Sequence, residues 1–141
     1  MKTLLKNATG FITGLVAGGL VNMGLVTLGP RVIPPPPGVD MTSTASLIAT
    51  AHLLESKHFL FPFLAHAAGT LVGALLAATM AASHRAVWAY AIGVLTLAGG
   101  IAAATMIPAP TWFLVTDLVF AYIPMAWLGL KIARSIRKET T

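Results

Sequence analysis

The sequence predicts an all-α integral membrane protein, a four-helix bundle with a short extracytoplasmic interfacial helix in a Pro-rich loop. Three observations carry that expectation. Hydrophobic residues make up 57% of the 141 positions and charged residues 9%, against roughly 45–50% and about 25% in soluble domains. Apolar stretches long enough to cross about 30 Å of hydrocarbon, at about 1.5 Å per residue, recur at about 8–29, 60–82, 87–107 and 111–130. Most Lys and Arg sit at the ends of those stretches, where membrane proteins keep them. The chain then reads as one membrane domain, 1–141.

The first stretch, Ala8 to Gly29, carries no charge and follows Lys2 and Lys6. A secretory signal peptide is its rival, but such a core is only about 7–15 residues long. The outer loop, 30–59, begins with Pro30 and Arg31 and continues into Pro34 to Pro37. Consecutive prolines lack backbone donors and favour a stiff polyproline II segment, which turns at Gly38. Thr42 or Ser43 can cap a helix, and Leu47, Ile48, Ala51 and Leu54 recur at helical spacing. Thr42 to Lys57 therefore reads as an amphipathic helix on the membrane surface or over the mouth of the bundle.

The second span, interrupted early by Pro62, ends at Ser83, His84 and Arg85, which leave room only for a tight helical hairpin. The third stops at Pro108-Ala109-Pro110, and the fourth runs into Lys131, Arg134, Arg137 and Lys138. Trp88, Tyr90, Trp112 and Trp127 lie near span ends, as interfacial aromatics do. With both termini cytoplasmic, Lys2, Lys6, Arg85, Lys131, Arg134, Arg137 and Lys138 face inward and only Arg31 and Lys57 outward. The positive-inside rule favours that orientation, in a bacterial inner membrane. The tail Glu139 to Thr141 is expected to fray.

Composition also excludes function classes. The net charge of +5 does not indicate nucleic acid, because no basic face with polar or aromatic partners accompanies it. Cysteine is absent, which removes disulfides, thiolate metal sites and cysteine nucleophiles. There is no G-x-S-x-G, no H-E-x-x-H and no phosphate loop, and Gly18-Gly19 and Gly99-Gly100 lie inside spans.

Two patterns remain. Gly10, Gly14, Gly18 and Asn22 share one face of the first span, and Pro62, His66, Gly69, Thr70, Gly73 and Ala77 share one of the second. Small residues at this spacing let backbones approach in lipid, so these faces are expected to meet within one chain, across a homodimer or against a larger membrane partner. Asn22, His66 and Asp117 fall in one layer, roughly 9–12 Å below the outer ends of their spans. An ionised carboxylate there needs a partner; His66 is the candidate, with Asn22 and Thr70 as donors. The layer is either a structural hydrogen bond or the floor of an outward-opening cavity. Above it, His52, Glu55 and His58 form H-x-x-E-x-x-H. Pairs three apart on a helix could share a divalent metal such as zinc, manganese or iron, or simply be polar residues on a wet face. His84 reads as a surface residue.

The order of Ile33-Pro-Pro-Pro-Pro-Gly-Val-Asp40, Ala65-His-Ala-Ala-Gly69 with Gly73, Ile107-Pro-Ala-Pro-Thr-Trp-Phe113 and Ile123-Pro-Met-Ala-Trp-Leu-Gly129 resembles a group of small uncharacterised bacterial four-span membrane proteins. The resemblance implies the four-span architecture and no activity. Three functional readings follow from the residues. One is a metal- or ligand-binding cavity at the outer opening; as an enzyme it would be a metal-assisted hydrolase of a lipid-like substrate, with Glu55 or His58 as acid or base. The second is an oligomeric transporter or channel subunit using Asp117. The third is an accessory subunit held by its glycine stripes.

Overall fold

A computed structural model of the chain describes residues 1–138; the tail Glu139 to Thr141 lies outside them. The described residues are helical and contain no strand: α1 (Lys2–Val32), α2 (Thr44–Thr50), α3 (Leu60–Met80), α4 (Arg85–Met106), α5 (Thr111–Phe120) and α6 (Ile123–Lys138). Four segments are long and apolar enough to cross a membrane: Lys2–Val32, Ser56–Met80, Arg85–Met106 and Thr111–Arg137. One end of the bundle, the loop end, carries the Pro-rich segment. At the opposite, terminal end lie the start of α1, the α3–α4 turn and the last turns of α6.

Helix α3 is the hub, packing against α1, α4, α5 and α6, whereas α1 lies along α3 and barely touches α4. Small residues explain the closeness of α1 and α3. A Cβ at Gly14 or Gly18 would collide with the carbonyl oxygens of Gly73 and Gly69, and one at Gly10 would come within 2.9 Å of the Met80 Cβ. The two stripes therefore meet as expected, within a single chain, and each covers the other's face. On the other side of α3, Gly129 of α6 sits against the backbone of Leu71 and Leu75. The terminal half is filled by Ala74, Ala77, Ala78, Ala89, Ala126 and Ala133 around Ile92 and Leu130, a close-packed interior with no polar path among these residues.

The α3–α4 turn is clamped from two sides. The buried Asn7 amide accepts from the Ala82 and Ser83 backbone N–H groups at 2.8 and 3.3 Å and donates to Ser83 Oγ at 3.0 Å. Arg137 donates to the Ala81 carbonyl at 3.2 Å. The turn residue His84 is exposed, as expected, with φ of 51°. Helix α1 starts at Lys2, before the uncharged stretch, and its early turns carry Asn7 to this hairpin turn.

Several expectations need correction. Pro62 does not interrupt the second span: it lies in the first turn of α3, where N–H groups have no intrahelical partner to lose. The fourth span is two helices, broken at Ala121 and Tyr122. Pro124 cannot donate to the carbonyl of Phe120, the last residue of α5, so the ladder stops there. Trp88 turns inward onto Phe11, with centroids 5.8 Å apart, while Trp112 and Trp127 stay about half exposed.

The loop also differs. Helix α2 covers only Thr44–Thr50, capped by Ser43, and two 3-10 turns, Ala51–Leu53 and Ser56–Phe59, replace the rest of the expected helix. A straight helix from Thr42 to Lys57 would run about 24 Å, but the chain must reverse into α3 at Leu60. Gly38 turns as expected, with φ of 86° and the Val39 N–H on the Pro36 carbonyl at 3.2 Å. Asp40 Oδ1 then accepts from the Thr42 hydroxyl and N–H at 2.7 and 2.8 Å, and these bonds hold its carboxyl below the usual range.

Candidate functional site

The polar centre lies where α3, α5 and the α5–α6 break meet. His66 Nδ1 stands 2.9 and 3.0 Å from the two oxygens of Asp117, and Tyr122 donates its hydroxyl to Oδ2 at 2.8 Å. Asp117 is 4% exposed and Tyr122 2%. A carboxylate at that burial is stable only when its oxygens are met by donors, and His66 and Tyr122 meet both. The carboxylate fixes the proton of a neutral His66 on Nδ1, which leaves Nε2 with a lone pair. Nε2 has no hydrogen-bond partner among the described residues.

Each member needs its element. His66 is six residues into α3, and Asp117 six into α5, which starts at the same end; their equal depth brings them together. Tyr122 follows Asp117 by five residues, which on a continuous helix would put it on another face. The break after Phe120 swings it back, and its ring enters the bundle only because α4 carries Gly100 there: a Cβ at that position would collide with the phenol. The His66 and Tyr122 rings lie 5.6 Å apart.

Two cavities adjoin this centre, and His66 and Gly100 line both. The loop-end cavity, about 190 Å³, has apolar walls from Val26, Phe61, Ala103 and Leu118, a roof from Met41, Leu47 and Leu54, and polar groups from His58, His66 and Asp117. The Pro-rich loop thus caps the bundle mouth. The second, inner cavity is an open groove of about 220 Å³ between α1, α3 and α4, with the exposed Leu15, Gly19 and Gly99 on its rim. Asn22, Thr70 and Thr96 contribute its polar groups together with His66 and Tyr122.

The remaining candidates separate. Asn22 shares the inner cavity with His66 but forms no hydrogen bond to it or to another described residue, and Thr70 donates to Thr96 Oγ1 at 3.1 Å instead of to the carboxylate. His52 is exposed, and Glu55 turns outward to Lys57, 3.1 Å away. His58 is buried and used structurally: Nδ1 accepts from the Glu55 N–H at 2.9 Å while Nε2–H donates to the Pro34 carbonyl at 3.2 Å. It ties the Pro-rich segment to the start of α3. Once the expected helix is broken, H-x-x-E-x-x-H no longer shares a face, and no three His, Asp or Glu side chains converge as a metal would require among the described residues.

The sequence reading missed Tyr122, Gly100, Thr96 and Asn7. The one available signal was Ala-Tyr-Ile-Pro at 121–124, where a proline four residues after Phe120 marks a helix break.

No family model matches the chain, and neither the curated proteins nor the solved structures yield a match.

Proposed function

We propose that the chain is a multi-pass membrane protein of the bacterial inner membrane, termini in the cytoplasm, whose loop-end cavity binds the end of a small amphiphile on the extracytoplasmic side. The observation that carries this reading is the His66–Asp117 pair: His66 Nε2 is an acceptor held in place by Asp117, without a protein partner among the described residues, and His66 lines a cavity whose walls are mostly apolar. Few convergent polar groups in an apolar pocket are what ligand sites consist of. An apolar cavity of about 150 Å³ holds a benzene ring, so about 190 Å³ suits a short hydrocarbon segment ending in a hydroxyl. That hydroxyl would donate to Nε2 while the tail lies along Phe61, Ala103 and Leu118.

Octanol and octane are the probes. Octanol should stabilise the full chain in nanodiscs against thermal unfolding more than octane does. His66→Leu should remove the difference between the two, and Ala103→Phe, which fills the cavity without touching the His66–Asp117 pair, should abolish the response to both. Equal stabilisation of wild type and Ala103→Phe would refute the reading. A transporter role draws no support from the terminal half, whose core is alanine packed around Ile92 and Leu130.

A further inference from the structure

The terminal end of the bundle gathers positive charge that no described acid answers. Lys2 and Lys6 lie in the first turns of α1, Arg85 starts α4, and Lys131, Arg134 and Arg137 lie in the last turns of α6. Of the four acids in the sequence, Asp40 and Glu55 lie in the loop at the opposite end, Asp117 is buried in the polar centre, and Glu139 lies outside the described residues. Arg137 is committed to the Ala81 carbonyl. One flank of α6 turns part of the remaining charge into a shaped surface. Trp127, Leu130, Lys131, Arg134 and Ser135 line an open groove of about 430 Å³. Leu130 is its buried floor, and the other four are exposed. Those four recur at every third or fourth residue and so share one face of the helix. Ile123, one turn before Trp127, continues that face with exposed apolar surface. The Lys131 ammonium stands 5.1 Å from the centroid of the Trp127 ring, within cation–π reach. The Arg134 guanidinium and the Ser135 hydroxyl have no hydrogen-bond or ion-pair partner among the described residues.

Charge and shape together select the occupant. Two cations and a hydroxyl lie one to two turns beyond an aromatic ring at the end of an apolar segment long enough to cross a membrane, the depth at which interfacial aromatics and basic side chains meet lipid headgroups. A phosphodiester is the anion that suits them, since its oxygens accept charge-assisted bonds from guanidinium and ammonium groups together. A soluble phosphate would leave Ile123 and Trp127 unused, whereas a phospholipid uses the whole strip. We propose that this groove seats the headgroup of an anionic phospholipid: the phosphodiester accepts from Lys131, Arg134 and Ser135, and the glycerol and first acyl segment lie along Trp127 and Ile123. Basic pockets beside membrane helices recognise lipid headgroups in this way. A zwitterionic lipid brings its own ammonium into the groove and is disfavoured by the two cations already there. The site lies at the opposite end of the bundle from the amphiphile cavity and shares with that reading only the premise that the helices stand in a bilayer.

The test is native mass spectrometry of the full chain released from micelles that hold phosphatidylglycerol and phosphatidylcholine in equal amounts. Wild type should retain phosphatidylglycerol in preference to phosphatidylcholine. The Lys131→Gln, Arg134→Gln double variant should weaken that retention by about tenfold or more, since each basic residue near anionic lipid is worth about a fivefold change. Lys2→Gln, Lys6→Gln removes the same charge from α1, which packs on the other side of α3, and should leave retention nearly unchanged. All four side chains are exposed, so both variants keep the fold. Glycerol 3-phosphate in millimolar excess should not displace the lipid. Equal retention of the two lipids by wild type would overturn the proposal. So would equal losses in the two double variants, because the whole basic end would then attract lipid without a site, and so would displacement by glycerol 3-phosphate, because the groove would then read phosphate alone. The octanol response of the loop-end cavity should persist in Lys131→Gln, Arg134→Gln, so either result can fail while the other stands.

Discussion

A single carboxylate sets the chemistry of the bundle. Asp117, almost fully buried, keeps its charge tolerable by accepting from His66 and Tyr122. Asp117→Asn preserves the shape but places an amide N–H against one of those donors, so thermal or denaturant unfolding in detergent should show a loss of about 1–3 kcal/mol. Gly100→Ala should act on the same cluster from the opposite side by pushing the phenol off the carboxylate, with a comparable loss and a changed Tyr122 environment in fluorescence or NMR. The pairing of His66 with Asp117 was legible in the sequence, because depth along a span can be counted from its end. Tyr122 was not, since its place depends on the helix break at Ala121 and Tyr122. His58 was misread for a different reason: spacing by three implies a shared face only if the residues are helical, and here a 3-10 turn hands its imidazole to two backbone groups. Outside the spans, Asp40 has its carboxyl held low by Thr42. A group depressed in the folded state stabilises above its ordinary value and loses that contribution as pH falls through the lowered one. The loop around Gly38 should therefore loosen only in strong acid, below about pH 4, and earlier in Thr42→Val, as read by amide exchange at Thr42.

At the scale of elements, glycines separate into those that a neighbour requires and those that none does. Gly14 and Gly18 admit the backbone of α3, whereas a Cβ at Gly19 or Gly24 would meet nothing within 4 Å. Gly14→Ala should then destabilise by about 1–3 kcal/mol through overpacking. Gly24→Ala should stabilise by about 0.5–1 kcal/mol, because alanine loses less conformational freedom in a helix. Opposite signs in one unfolding assay check the α1–α3 register directly. The terminal clamp is open to the same approach: Asn7→Ala strands two backbone N–H groups of the hairpin turn and should cost about 1–3 kcal/mol. The glycine stripe itself was visible from spacing. Which stripe it faced was not, because small residues at every fourth position fit many partners equally well in lipid.

The whole molecule is polarised along its length, with the His66–Asp117 cavity and the loop that covers it at one end and alanine packing in the other half. Absence of cysteine makes its orientation simple to measure. Lys57→Cys, at an exposed position of the loop, should react with an impermeant thiol reagent applied to intact cells. Ser135→Cys on α6 should react only after the membrane is opened, and the reverse pattern would invert the proposed topology. Composition, span length and the placement of Lys and Arg determined by themselves that this is a bundle of four apolar helical segments with a Pro-turned loop, since each of those signals is local and read along one strand of chain. Only the tertiary structure decided which faces met, where the last span broke and how His66 came to line two cavities, because contacts between helices depend on rotations that no single helix encodes.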